Sequence, residues 1–187
     1  METATLAGEP ARYAMATLAG GCFWCTEAIF KRLKGVKSVE PGYTGGHLEN
    51  PTYKEVCTGK TGHAESIQIE FDPKEISFEK LLEVFFALHN PTTLNRQGVD
   101  FGTQYRSAIF THDKKQQQVA IKLIKKLQDS ASFKNKIVTE IVPFTKFYKA
   151  ENYHQNYYYT NRNKLYCRIF IDPKIKKLLK NFQENLK

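Results

Sequence analysis

The chain has 187 residues, 41% of them hydrophobic, which is enough for one sizeable core and short for two. Four cysteines, the closest pair spaced Cys-x-x-Cys, fit redox-active or metal-binding thiols better than a structural disulfide framework. No stretch approaches the apolar length needed to span a membrane, and Met1 to Tyr13 lacks the basic start and continuous apolar run of a secretory signal, so a cytoplasmic protein without membrane contact is expected.

Residues 1–13 are expected to form an irregular extension of a single catalytic domain spanning 1–187. Ala14 to Ala19 read as a buried strand, and Gly20-Gly21 permit a sharp turn. Ile29, Phe30 and Leu33 then recur at helical spacing up to a stop at Gly35, which puts Cys22 at the start of a helix. Backbone N–H groups and the positive end of the helix dipole would stabilise a thiolate there, and the thiolate is the nucleophilic form of cysteine. Phe23 and Trp24, two large aromatics beside that turn, are expected to wall a pocket for a small apolar group.

Val36 to Tyr43 reads as extended, and His47 to Gly62 as a polar loop. Ile67, Ile69 and Phe71 alternate with polar residues in a half-buried strand that ends at Asp72-Pro73. Ser77 caps a helix with the apolar set Leu81, Leu82, Val84, Phe85, Phe86 and Leu88, stopped by Asn90-Pro91. Asn95 to Tyr105 is a loop, Arg106 to Thr111 a strand, and Lys114 to Asp129 a long helix. Ile137, Thr139 and Ile141 alternate in a further strand, a short one lies near Phe144 to Tyr148, and an apolar strand-like run after Cys167 leads into a basic helix. Segments of both kinds alternate finely, which predicts an α+β class: a two-layer, ferredoxin-like α/β sandwich on a mixed, mostly antiparallel sheet. No long heptad or bare apolar patch demands association, so a monomer is expected.

The formal charge of +9 invites a nucleic-acid reading. Much of the excess, however, interleaves with apolar residues in two helices: Lys122, Lys125 and Lys126 in one, Lys174, Lys176, Lys177 and Lys180 in the other. Those read as solvated faces of amphipathic helices, and no nucleic-acid partner is expected.

Gly20-Gly21-Cys22-Phe23-Trp24 resembles the active-site motif of the A-type peptide methionine sulfoxide reductases, which reduce the S epimer of methionine sulfoxide. Gly42-Tyr43-Thr44-Gly45-Gly46 through Asn50-Pro51-Thr52-Tyr53, Gly62-His63-Ala64-Glu65, Asp100-Phe101-Gly102-Thr103-Gln104-Tyr105-Arg106-Ser107 and Tyr153-His154-Gln155-Asn156-Tyr157 resemble the same family in the same order. The resemblance implies that Cys22 attacks the sulfoxide sulfur and that Glu65, in an apolar pocket, acts as the general acid assisted by Tyr53 and Tyr105. It further implies that Asp100 binds the substrate's backbone amide, and it implies thioredoxin as reductant, oxidised proteins and free methionine sulfoxide as substrates, and no bound cofactor or metal. His154 lies in a tyrosine-rich segment and is expected to pack among aromatic rings.

Two thiols compete to resolve the Cys22 sulfenic acid. Cys167 sits about where the resemblance places a resolving cysteine. Cys25 stands where many members carry glycine; it has proximity, but on a regular helix residues three apart hold their Cβ atoms about 5–6 Å apart, whereas a disulfide needs about 3.5–4.5 Å. Cys57 reads as a buried structural cysteine. The alternative enzyme is a thiol-disulfide oxidoreductase using Cys22 and Cys25. The alternative outside enzymes is a zinc module on the same pair, which lacks a second close ligand pair.

Overall fold

The run Ala14 to Ala19 lies at the centre of a six-stranded sheet in the computed structural model, which describes residues 13–187. The extension expected over residues 1–13 therefore falls, apart from Tyr13, outside the described residues. In chain order the elements are β1 (Ala14–Gly20), α1 (Phe23–Phe30), β2 (Val36–Thr44), α2 (Tyr53–Cys57), β3 (Ala64–Phe71), α3 (Phe78–Leu88), β4 (Arg96–Gln97), β5 (Asp100–Phe101), β6 (Ser107–Thr111), α4 (Lys114–Asp129), β7 (Glu140–Pro143), β8 (Phe147–Lys149), α5 (Tyr157–Thr160) and α6 (Asp172–Asn181). The large sheet runs β7-β6-β1-β3-β2-β8, antiparallel except at the parallel β6–β7 edge. The protein is therefore mixed α/β, with helices packed on a mixed, mostly antiparallel sheet. Among the described residues no helix is long and apolar enough to cross a membrane.

Helix α1 is buried almost all round, leaving only Trp24 partly open, because it packs on the sheet and is covered by α5 and α6. Helix α3 starts where Ser77 accepts the Lys80 N–H at 3.1 Å, and α4 where Asp113 accepts the Gln116 N–H at 2.7 Å. Lys122, Lys125 and Lys126 lie on the exposed face of α4, but Lys174 on α6 is half-buried. It thus leaves the solvated face expected for it.

Four expectations are corrected. The loop 47–62 contains α2, nucleated by a capping box in which Thr52 accepts from the Glu55 N–H and the Glu55 carboxylate accepts from the Thr52 N–H. The loop 95–105 contains the β4–β5 hairpin and a 3-10 turn at Thr103–Tyr105. Pairing of β7 begins only at Glu140, because the Val138 N–H goes to the Pro91 carbonyl and the Thr139 hydroxyl meets Ser107. The apolar run after Cys167 is a π-helical turn, Cys167–Ile171, which buries its two ends and leads directly into α6.

One buried histidine ties α3 to the sheet. Nδ1 of His89 donates to the Phe85 carbonyl at 2.6 Å, so Nε2 accepts from the Ser107 hydroxyl at 2.8 Å. Burial pushes this imidazole down to about 4, against an ordinary value of 6.5. Its contribution to stability is therefore complete above pH 6.5 and is lost as pH falls from there toward 4, a loss of roughly 3 kcal/mol. Thermal melts of the parent and a His89→Gln variant should converge over that interval. Parallel pH profiles would show that the histidine titrates no differently in the fold.

Candidate functional site

The site grows from the turn that ends β1. Gly21 has φ +86°, and a Cβ there would meet the Gln97 side chain at 2.5 Å, so this position calls for glycine. The turn delivers Cys22 as the N-cap of α1, with φ −56° and ψ 123°, outside the helical region. The first helical N–H, that of Phe23, points at Glu65 and donates to its Oε2 at 3.1 Å. Glu65 is the second residue of β3, opposite Tyr43 on β2, and its side chain is 1% exposed. Burial pushes its carboxyl up to about 8, outweighing the pull of the Phe23 N–H.

Cys22 is 7% exposed and shares a side-chain hydrogen bond with Cys25, three residues on. That bond brings the Cys25 thiol down to about 7 despite burial, with Lys174 adding its positive charge. Burial and the Cys25 neighbour hold Cys22 well above the ordinary thiol value. The two directions describe one object: a pair that carries a single negative charge near neutrality and resists a second.

The Tyr166 hydroxyl also hydrogen-bonds the thiol pair, and it donates to Asp100 Oδ2 at 3.1 Å. Asp100, on the β4–β5 hairpin, is raised by burial, with Tyr166 and Lys174 opposing. Cys167 is fully buried in one apolar cluster with Cys22, Cys25, Ala28, Tyr158, Ile171 and Ile175. Cys57, expected to be buried, is exposed, because it ends α2 on the outer side.

An aromatic wall stands beside Cys22. The Phe23 ring lies 5.0 Å from His154, 5.8 Å from Tyr43 and 6.3 Å from Tyr53. Trp24 lies flat on Tyr157, with centroids 3.6 Å apart, and meets Tyr166 edge-on at 5.6 Å. Its indole N–H donates to His154 Nδ1 at 3.0 Å, which leaves the imidazole proton on Nε2, 4.0 Å from Glu151 Oε2. Glu151 accepts the Tyr43 hydroxyl at 2.7 Å and the Tyr53 N–H at 2.8 Å. Tyr53 and Tyr105 are half-buried within the field of Glu65, and burial raises both phenols well above their ordinary value.

Cys22, Phe23, Trp24, Cys25, Tyr53, Glu65, Asp100, Tyr105 and Cys167, singled out from the sequence, therefore converge on one region. Sequence reasoning missed Tyr43, Glu151, Tyr166 and Lys174. Of these, Tyr43 lay inside a quoted motif and Tyr166 stood beside Cys167; Glu151 and Lys174 had no local signal. Among the described residues no group of three or more histidine, cysteine or acidic side chains is arranged to hold a metal ion. A thiol pair with one easily lost proton, a neutral carboxyl and an apolar wall form a set suited to attack by sulfur with protonation of a leaving oxygen.

Comparison with known proteins agrees with that chemistry. The family profile for peptide methionine sulfoxide reductase matches residues 14–186. The peptide methionine sulfoxide reductase MsrA of Sulfolobus acidocaldarius is 56% identical over 170 residues, 91% of this chain and 96% of the relative. Among solved structures, reduced Mxr1 from Saccharomyces cerevisiae superposes with a TM-score of 0.76 at 38% identity, covering 85% of this chain and 91% of that one. Mxr1 in complex with Trx2 superposes with a TM-score of 0.55 at 29% identity, covering 82% and 91%. With a profile match over nearly all of the described chain and 56% identity to a relative over 91% of the chain, the chain belongs to the peptide methionine sulfoxide reductase family.

Proposed function

We propose that the protein reduces methionine-S-sulfoxide, free and within proteins, to methionine. The observation that carries this reading is the Phe23 N–H to Glu65 bond, which holds a buried carboxyl beside the residue that bears the nucleophilic sulfur. A thiolate on Cys22, reached by a proton shift to Cys25 along their hydrogen bond, attacks the sulfoxide sulfur. Glu65 gives its proton to the oxygen, with the Tyr53 and Tyr105 phenols hydrogen-bonding that oxygen as charge develops. Methionine departs and Cys22 is left as a sulfenic acid.

Phe23 and Trp24 hold the methyl group, and Asp100 takes the backbone amide. A second thiol, Cys25 or Cys167, then expels water and forms a disulfide, which thioredoxin reduces; the complex of Mxr1 with Trx2 supports this for a relative. A plain thiol-disulfide oxidoreductase would leave Glu65, Tyr53 and Tyr105 without a task. The setting is one catalytic domain, monomeric and cytoplasmic, engaged in repair of oxidised proteins. Its four inner strands, in the order β6-β1-β3-β2, support the ferredoxin-like description, since β1-α1-β2-β3-α3-β6 follows that fold's chain order.

Two outcomes follow from the protonation states. Methionine release in a single turnover without reductant should rise as the thiol pair ionises near pH 7 and fall above about 8 as Glu65 loses its proton. Glu65→Gln should lower the rate by roughly 100-fold or more and erase the alkaline fall; a variant that keeps that fall assigns it to another group. Cys22→Ser should release no methionine, and retained activity would remove Cys22 from the mechanism.

A further inference from the structure

Helix α6 joins two features of the surface. Its half-buried Lys174 acts on Cys25 and Asp100 at the site. Lys177 and Asn181, three and seven residues further and therefore on the same helix face, line a separate groove between α3, α4 and α6. The groove has a volume of about 380 Å³ and an apolar floor of Phe86, Leu123, Leu127 and Phe133. The His89 ring also lies there, but its two nitrogens are engaged by the Phe85 carbonyl and the Ser107 hydroxyl, so it offers the groove no free polar atom. The rim, by contrast, is basic. Lys126 lies one turn of α4 beyond Leu123, Lys180 one turn of α6 beyond Lys177, and Lys134 follows Phe133. These three and Lys177 are exposed, and among the described residues none of the four is in an ion pair. Glu83, which also lines the groove, is bridged by Lys80.

The groove is tied to the substrate side of the protein. Past His89 and Phe133 it continues along Asn90 and Lys134. Gln97 holds the Asn90 backbone with its whole amide, accepting from the N–H and donating to the carbonyl, each at 3.0 Å. Gln97 in turn pairs with Asp100 in the β4–β5 hairpin, so the residue proposed for the substrate's backbone amide is fastened to the wall of the groove. Along α6 the separation is short: from Lys174 to Asn181 the helix rises about 10 Å, the length of about three extended residues. We infer that this groove docks a second segment of a protein substrate, an extended stretch of alternating acidic and aliphatic side chains about three to six residues from the methionine sulfoxide. The inference rests on the reductase reading for what occupies the site. The rim cations take the acids and the floor takes the aliphatic side chains. Free methionine sulfoxide reaches neither, so the groove discriminates among oxidised methionines by the sequence around them. Nucleic acid would satisfy the rim but offers no aliphatic side chain to the floor.

The test uses peptides that carry one methionine-S-sulfoxide and, about four residues away on either side, a block alternating Asp with Leu, Asp with Ser, or Gly with Ser. On one side or the other, the Asp-Leu block should raise the parent's kcat/KM roughly tenfold over the Gly-Ser block, through a lower KM. A variant combining Lys126→Glu, Lys134→Glu and Lys180→Glu should lose that gain and still reduce free methionine-S-sulfoxide as the parent does. An Asp-Ser block as effective as Asp-Leu, or a gain that survives the three reversals, overturns the docking surface. Binding is read separately by fluorescence anisotropy of a labelled Asp-Leu peptide with methionine in place of the sulfoxide, which should bind the parent and not the variant. If the parent reduces neither the peptides nor free sulfoxide while this binding holds, the reductase reading fails and the docking surface stands. If free sulfoxide is reduced but the three blocks behave alike and the labelled peptide binds parent and variant equally, the docking surface fails by itself. A single-stranded oligothymidylate that binds the parent more tightly than the peptide assigns the face to nucleic acid and likewise overturns it.

Discussion

A single hydrogen bond, from the Phe23 N–H to the Glu65 carboxyl, fixes the proposed nucleophile, Cys22, and the proposed acid, Glu65, in one frame. The bond ties the start of β3 to the start of α1, two elements that meet only because β1 and β2 flank β3 in the sheet. Strand alternation makes the arrangement sensitive to register: a slip of one residue would turn Glu65 to the other face and bring Ala64 or Ser66 to the helix. The pairing of Tyr43 with Glu65, continuous with Thr44–Ala64 and Gly42–Ser66, pins that register. Burial then does the chemical work. A carboxylate facing a helix N-terminus would ordinarily be acidic, and here exclusion of water outweighs that pull and keeps the proton on.

Much of this was legible locally. Ser77, the alternation of Ile67, Ile69 and Phe71, and the periodic run from Lys114 to Asp129 each contain their whole signal within a few residues, and each forms the expected element. The Thr52-x-x-Glu55 capping box was equally local but sits in a helix of five residues, too short to show periodicity. The π-helical turn misled because Ile169, Phe170 and Ile171 have the composition of a strand; what decides their conformation is the burial of Cys167 and Ile171 against the α1 face, a tertiary fact. The same holds for the site. Cys22 and Glu65 announce themselves by neighbours in sequence, whereas Tyr166 reaches Asp100 across 66 residues and Tyr43 reaches Glu151 across 108. A pattern of residue types carries no record of such pairings.

The aromatic wall shows how a pocket is made stiff with few bonds. Trp24 has its plane set by Tyr157 and its in-plane rotation set by His154, so neither degree of freedom is left for a substrate to fix. Glu151 does the same for the opposite side by gripping the Tyr43 hydroxyl and the Tyr53 backbone together. The arrangement leaves His154 Nε2 buried without a hydrogen-bond partner, a cost of about 1–3 kcal/mol. Burial also holds this imidazole below its ordinary value, which favours the neutral form able to accept from the indole. Stability is thus spent at the wall to keep its geometry.

Tyr166 closes the opposite side on a different principle. Its hydroxyl occupies one carboxylate oxygen of Asp100, and a carboxylate has two, so an amide N–H can bind the other without displacing the phenol. The same hydroxyl contacts the thiol pair, and the ring meets Trp24 edge-on. One side chain therefore touches the residue proposed for amide binding, the Cys22–Cys25 thiols and the apolar wall. Because Tyr166 immediately precedes Cys167, whatever fixes the phenol also fixes the start of the π-helical turn. The position of the most distant thiol is in this way referenced to the centre of the site through a single peptide link, which is why a cysteine 145 residues away in sequence (from 22 to 167) lies in the same cluster as Cys22.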